Sequence, residues 1–311
     1  MRNKTLQSFI ATGRFTLPAV ILIAICCWTA MGIGTGTPAT RLLPSFALCG
    51  LVGYLLVETN NNFALIRVRA SGQTALYLLL AATYPALYSF YNGQAASVCF
   101  LLAVMFLFRS YRGEHTSACL FHVFAFASIS SLFIPQLTLF VPVLWIGAYN
   151  FHSLNVRSFI ASLIGWALPY WFLLGYAYAS DRMELFLTPF KTLADFTPIG
   201  FLSDISQIAT FAYVSILFAV GAIHAIVSGN EDKLSTRSYL RFLVLLGVCC
   251  GALIGLQPAL YNQLLPLLWI CASIVGGRLF ILSRGRIANI FFVCSVIGAF
   301  LLFAFNLWTL L

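Results

Sequence analysis

The stretch SACLFHVFAFASISSLFIPQLTLFVPVLWIGAYNF, residues 117–151, contains no Asp, Glu, Lys or Arg across 35 positions. As one helix it would reach roughly 50 Å at 1.5 Å per residue. The hydrocarbon core of a bilayer is only about 30 Å thick. A hairpin turning at Pro135 satisfies both lengths, so the stretch reads as two membrane passes joined by a tight turn.

The rest of the chain repeats this pattern. Of its 311 residues 61% are hydrophobic and 8% charged, and the mean hydropathy is +0.96. An ordinary soluble domain carries roughly 25% charged residues, and this chain cannot supply such a surface. Apolar runs fall near 15–34, 42–57, 74–91, 95–109, 117–134, 137–151, 158–179, 207–228, 240–257, 264–282 and 288–308. They predict an all-α, polytopic transmembrane bundle of about eleven helices, forming a single integral membrane domain over 1–311. The first run follows a basic N-terminal stretch, but it is long and more helices follow it. It is expected to stay as a helix and not to be cleaved as a signal peptide.

The net charge of +9 does not suggest nucleic acid, because the basic residues are scattered in twos and threes between apolar runs. They read as topology signals. With the N-terminus inside and the C-terminus outside, inner segments carry 14 of the 17 basic residues; only Arg41, Arg182 and Lys191 fall outside. That is the asymmetry of a positive-inside protein. It predicts a multi-pass protein of the cytoplasmic (inner) membrane. The nine cysteines lie in apolar runs without Cys-x-x-Cys spacing. They are expected to be packing residues, with no metal site and no cofactor.

Three outward runs end alike, in ATYPALYSF, LFIPQLTLF and GLQPALYNQ, at Pro85, Pro135 and Pro258. Two of the returns also match, as VPVLWIGA and LPLLWICA (Pro142 with Trp145, Pro266 with Trp269). Proline stops the outgoing helix and sets the turn. Repeated helical hairpins, from a duplication or from the shared demands of membrane turns, explain the match.

Two extramembrane segments are long. The inner one, 58–69, is expected along the headgroups, with Arg67 and Arg69 against lipid phosphate and Glu58 paired to one of them. Arg278, at the inner end of its run, is expected to snorkel to phosphate as well. The outer one, 181–206, is an amphipathic interfacial segment. Asp181, Glu184, Thr188, Lys191 and Asp195 recur at steps of three and four. With Thr188 and Pro189 read as a helix start, two short helices are expected there.

Candidate chemistry is sparse. No Asp, Glu, Lys or Arg falls at the middle of a run, and no nucleotide-binding or metalloprotease motif is present. Coupled transporters usually place carboxylates there. His122, within the fifth run, is a proton-relay candidate or a link between helices. At the outer ends Tyr88, Asn92, Gln94, Gln136, Tyr261 and Asn262 form a candidate groove for a polar headgroup, or else they satisfy turn backbone. The outer acids Asp181, Glu184, Asp195 and Asp204 are the candidates for a catalytic carboxylate.

RLLPSFALCGLVGYLLVE (41–58), LLLAATYPALYSFYNGQAASVCFLLAVMFLF (78–108), SISSLFIPQLTLFVPVLW (128–145) and NVRSFIASLIGWALPYW (155–171) resemble membrane glycosyltransferases of the GT-C superfamily. Those enzymes use polyprenyl-phosphate sugars. The chain also resembles an uncharacterised family of bacterial polytopic membrane proteins. The GT-C resemblance implies a catalytic carboxylate in the first outer loop, where a base or metal ligand is needed. Here that loop is TGTPATR (35–41), with no acid. No catalytic residue carries over. The expected role is therefore a non-catalytic partner or scaffold in cell-envelope or lipid-linked glycan biogenesis, with membrane lipids and a membrane protein as partners. The alternatives are a carrier or flippase for a lipid-linked or amphipathic substrate, and a transferase with a relocated acid.

Overall fold

A computed structural model describes residues 13, 16–35, 39–66, 72–89, 91–194, 204–228, 232–283 and 285–310. Among them are twelve α-helices and no strands. They are α1 (Thr16–Thr35), α2 (Ala39–Phe63), α3 (Gly72–Ala82), α4 (Tyr91–Arg109), α5 (Thr116–Phe133), α6 (Val141–Asn150), α7 (Val156–Ala179), α8 (Glu184–Ala194), α9 (Ile205–Val227), α10 (Leu234–Leu256), α11 (Tyr261–Leu282) and α12 (Arg286–Leu310). Eight of these (α2, α4, α5, α7 and α9–α12) are long and apolar enough to cross a membrane. The chain is thus compatible with a multi-pass helical membrane protein.

Each of the eleven expected runs has a helix, but two of those helices are short. α3 has 11 residues and α6 has 10. Proline is the cause. The ring disfavours the α conformation in the residue before it, and Ile134 (φ −136°, ψ 93°) and Gln257 (φ −131°, ψ 84°) leave the helix accordingly. Pro85, Pro135 and Pro258 then each open a short 3-10 turn (Pro85–Ser89, Pro135–Phe140 and Pro258–Leu260). All three turns close with one bond, from the amide two residues after proline to the carbonyl before it. These are Leu87 to Tyr84 (3.2 Å), Leu137 to Ile134 (3.0 Å) and Leu260 to Gln257 (3.0 Å). The donating leucine is buried each time. The hairpin at Pro135 keeps its length because 3-10 backbone rises about 2.0 Å per residue. Six such residues plus α6 give roughly 27 Å, the same as the 18 residues of α5 at 1.5 Å each.

Two expectations about the long segments are corrected. Residues 58–63 are not a separate segment; they are the last turns of α2. Ala64 then takes a left-handed φ of 48°, and the Asn60 side chain accepts from the Ile66 amide at 2.8 Å. Leu65 and Ile66 turn inward and are buried. The 181–206 segment contains one described helix, α8, in which Pro189 is interior and not a first-turn residue. Thr188 does not cap a new helix, since its hydroxyl donates back to Glu184 O (2.6 Å). Asp195 lies outside the described residues.

The chain forms two compact units, residues 1–91 with 201–311, and residues 92–200. In the first, α11 is the central element, packed against α3, α9, α10 and α12. Nineteen of its 22 residues are buried. Gly277 allows the approach to α3, because a Cβ there would sit 2.7 Å from the Gln73 Cα. In the second unit α5 packs along α7, and a Cβ on Gly165 would collide with the Phe121 carbonyl oxygen. Serines tie the second unit together. Ser130 donates to Ala96 O (2.7 Å), Ser128 to Trp166 O (2.8 Å), and Ser131 shares a bond with the Tyr170 hydroxyl (2.8 Å). Small residues and interhelical hydrogen bonds are what hold helices together where the surroundings are as apolar as the side chains. Trp171, Tyr176 and Tyr178 near the end of α7, and Trp308 near the end of α12, are exposed, as aromatic residues of a membrane interface are. Cys26 and Cys294 are also exposed, so packing in the interior does not account for every cysteine.

These contacts set an expected result. Gly165→Ala and Gly277→Ala should each cost about 1–3 kcal/mol through overpacking. Gly251→Ala, where nothing lies within 4 Å of the new methyl, should be neutral or slightly stabilising. Thermal unfolding of the three purified variants in one detergent checks this ordering.

Candidate functional site

The first unit has a buried polar cluster near the Pro85 and Pro258 turns. The break after α3 frees backbone carbonyls, and several of them find donors nearby. Leu80 O accepts from the Thr83 amide (3.0 Å) and hydroxyl (2.6 Å), Ala82 O from the Tyr88 hydroxyl (3.0 Å), and Thr83 O from Asn306 Nδ2 (2.7 Å). The Asn306 amide is fully buried in α12. It donates also to Thr210 Oγ1 (3.0 Å) and accepts at Oδ1 from Ser206 Oγ (2.8 Å). Tyr84 and Tyr261, the residues flanking the two PALY turns, meet edge to face at 5.6 Å. The Tyr261 hydroxyl faces Thr210, and that of Tyr84 faces Gln207.

A second cluster sits where α11 ends. Arg278, expected at lipid phosphate, is 1% exposed and turns inward. Its guanidinium is ion-paired with Asp232, whose side chain is equally buried, and donates to Leu65 O (3.1 Å). Two opposite charges in close contact offset each other's desolvation, which an arginine facing hydrocarbon alone would not achieve. His224 lies within electrostatic reach of both.

The groove candidates divide between the units. In the first, Tyr88 and Tyr261 are packed and do not line an open groove. Tyr88 stacks on Trp28 (3.6 Å between ring centroids, 7° between planes). Asn262 is half-buried, with Oδ1 unbonded. In the second unit Asn92 is exposed, Gln94 is buried, and Gln136 Nε2 donates to Thr192 O at 3.4 Å. The Oε1 atoms of Gln94 and Gln136 are buried without a partner.

The candidate acids are on the surface. Asp181 follows α7 in a left-handed conformation (φ 56°), Glu184 opens α8, and Asp204 precedes α9 near Tyr84; all three are exposed. Arg67 and Arg69 lie outside the described residues. Glu58 accepts from Asn62 Nδ2 (2.8 Å). His122 is exposed, its ring 5.0 Å from that of Phe106.

Sequence reading missed Asn306, Thr83 and Thr210, and it missed the partner of Arg278. A lone Asn in the apolar run FAFNLW was the available signal for the first. No protein-family model, curated protein or solved structure matches this chain.

Both clusters are open to mutation. Asn306→Ala removes three hydrogen bonds, with Thr83 O, Thr210 Oγ1 and Ser206 Oγ, and should cost about 1–3 kcal/mol. Asp232→Ala removes the carboxylate paired with the buried Arg278 charge and should cost roughly 3–5 kcal/mol, whereas Asp232→Leu with Arg278→Met should recover much of that loss. Melting temperatures and yields of inserted protein measure both effects. Equal losses for Asp232→Ala and the double variant would contradict the pairing.

Proposed function

We propose that this chain is a multi-pass protein of the cytoplasmic membrane, N-terminus inside and C-terminus outside. In this reading it acts as a non-catalytic partner or scaffold in cell-envelope or lipid-linked glycan biogenesis. One observation supports the reading: the two buried polar clusters of the first unit bond to its own backbone and within themselves. The Asn306, Thr83, Thr210 and Ser206 cluster closes a helix break, and Arg278 with Asp232 closes the end of α11. The central α11 is packed along nearly its whole length. A carrier needs a polar path with groups free to exchange partners, and a transferase needs a base held beside its acceptor. The exposed Asp181, Glu184 and Asp204 are not held in such a setting.

The carrier or flippase reading has one observation in its favour. Gln94, Gln136 and Asn262 keep buried carbonyl oxygens without partners, and a hydroxyl-rich headgroup would satisfy them.

The readings separate in two experiments. Purification from native membranes in two mild detergents should retain one membrane protein at a fixed ratio in both; a clean monomer would contradict the scaffold role. Liposomes holding the purified protein alone should move no lipid-linked substrate, and movement would favour the carrier. Asp181→Asn, Glu184→Gln, Asp195→Asn and Asp204→Asn should leave function intact, whereas loss in a normally inserted variant would point to the transferase.

A further inference from the structure

Two neighbouring turns of the second unit, one joining α4 to α5 and the other α6 to α7, carry a cluster of exposed cations. The turns are locked to each other. The Arg112 amide donates to Phe151 O (3.2 Å), Ser110 Oγ bonds Ser153 Oγ (3.1 Å), and Asn155 Nδ2 donates to Thr116 Oγ1 (3.4 Å). Phe151 is fully buried, with Phe108 and Tyr111 edge-on to its ring. On this frame Arg109, Arg112, His115, His152 and Arg157 are all exposed. Glu114 is the only acid within 109–115 and 149–157. Among the described residues no carboxylate pairs with Arg109, Arg112 or Arg157.

Two of these residues stand where glycine is the natural choice. Arg112 (φ 48°) and His152 (φ 56°) are left-handed, a conformation strained for an L side chain and free for glycine. The turn at His152 closes as glycine-ended helices do, the Ser153 amide bonding Ala148 O at 3.0 Å. Glycine even follows Arg112, but Gly113 is not left-handed. Strain of this kind, which a glycine would relieve, points to use of the side chains. Tyr149 and Val156 flank the cations and are 72% and 78% exposed. Exposed apolar groups beside arginines, at the ends of apolar helices, suit the level where hydrocarbon meets headgroups.

We propose that this rim docks the headgroups of anionic lipids. Arg109, Arg112 and Arg157 hold the phosphates, whose oxygens the guanidinium fork matches. His152 donates beside them, and Tyr149 and Val156 lie against the acyl ends. In the orientation proposed above the lipids are those of the inner leaflet. The rim rests on the membrane reading of the fold and not on the scaffold role.

Native mass spectrometry of the full chain tests it, with phosphatidylglycerol, phosphatidylcholine and inorganic phosphate as separate arms. The wild type should retain phosphatidylglycerol and exchange phosphatidylcholine freely. A chain that retains no lipid contradicts the membrane reading, and one that retains both lipids equally contradicts the rim. Arg109→Gln, Arg112→Gly and Arg157→Gln together should weaken phosphatidylglycerol binding roughly tenfold or more. Arg182→Gln, Lys191→Gln and Arg241→Gln together remove the same charge from exposed positions elsewhere and should change nothing. Arg112→Gly with His152→Gly should weaken lipid binding while the melting temperature holds or rises. A fall in melting temperature there would make the two side chains structural and overturn their use. Unaltered binding in the rim variants, or equal loss in both triple variants, overturns the site. Unaltered lipid binding with loss of a co-purifying protein assigns the rim to a protein partner instead. Displacement of the lipid by millimolar inorganic phosphate assigns it to a soluble anion.

Discussion

Within hydrocarbon a backbone carbonyl released from its helix has no water to turn to, so every break must be closed by the protein itself. That constraint organises the first unit. The end of α3 frees the carbonyls of Leu80, Ala82, Thr83 and Tyr84, and Thr83, Tyr88, Asn306 and Leu87 answer them in turn. Asn306 comes from more than two hundred residues away, and it brings Thr210 and Ser206 with it. A local defect set by one proline therefore draws α9 and α12 into a single polar cluster.

The same logic holds at the end of α11. A guanidinium cannot remain in a buried position unless its charge and donors are met. Asp232 meets the charge, and the Leu65 carbonyl, turned inward by the left-handed Ala64, meets a donor. The second unit solves its packing more cheaply, with serine hydroxyls that bond across helices and a glycine at the closest approach. The functional proposal rests on the polar groups of these clusters, which are committed to holding the structure.

Hydropathy made the helices legible, because a run of apolar residues reports where lipid or a core can be, and proline reports where a helix stops. It did not report length within a run. α2 continues through Glu-Thr-Asn-Asn-Asn, as polar residues beyond the hydrocarbon can still be helical. Nor could one dimension say which way Arg278 faces, as its partner is 46 positions away across two helix ends. Tyr88 and Tyr261 read as groove residues because tyrosine at a helix end usually meets water. Here the PALY turns fold them inward. The amphipathic steps of α8 were visible, but a proline after threonine was misread as a start.

The proposed topology depends most directly on the hairpin at Pro135, where α5 ends and the short α6 follows. Ser110 Oγ bonds Ser153 Oγ at 3.1 Å, and the Arg112 amide bonds Phe151 O at 3.2 Å, so the two ends of that hairpin are neighbours. Introduced cysteines at Gly113, His152 and Asp181 can be probed with a membrane-impermeant thiol reagent, native cysteines having been replaced. In right-side-out vesicles Gly113→Cys and His152→Cys should both be protected and Asp181→Cys labelled, with the pattern reversed in inside-out vesicles. Labelling of Gly113→Cys and His152→Cys from opposite sides would contradict the account.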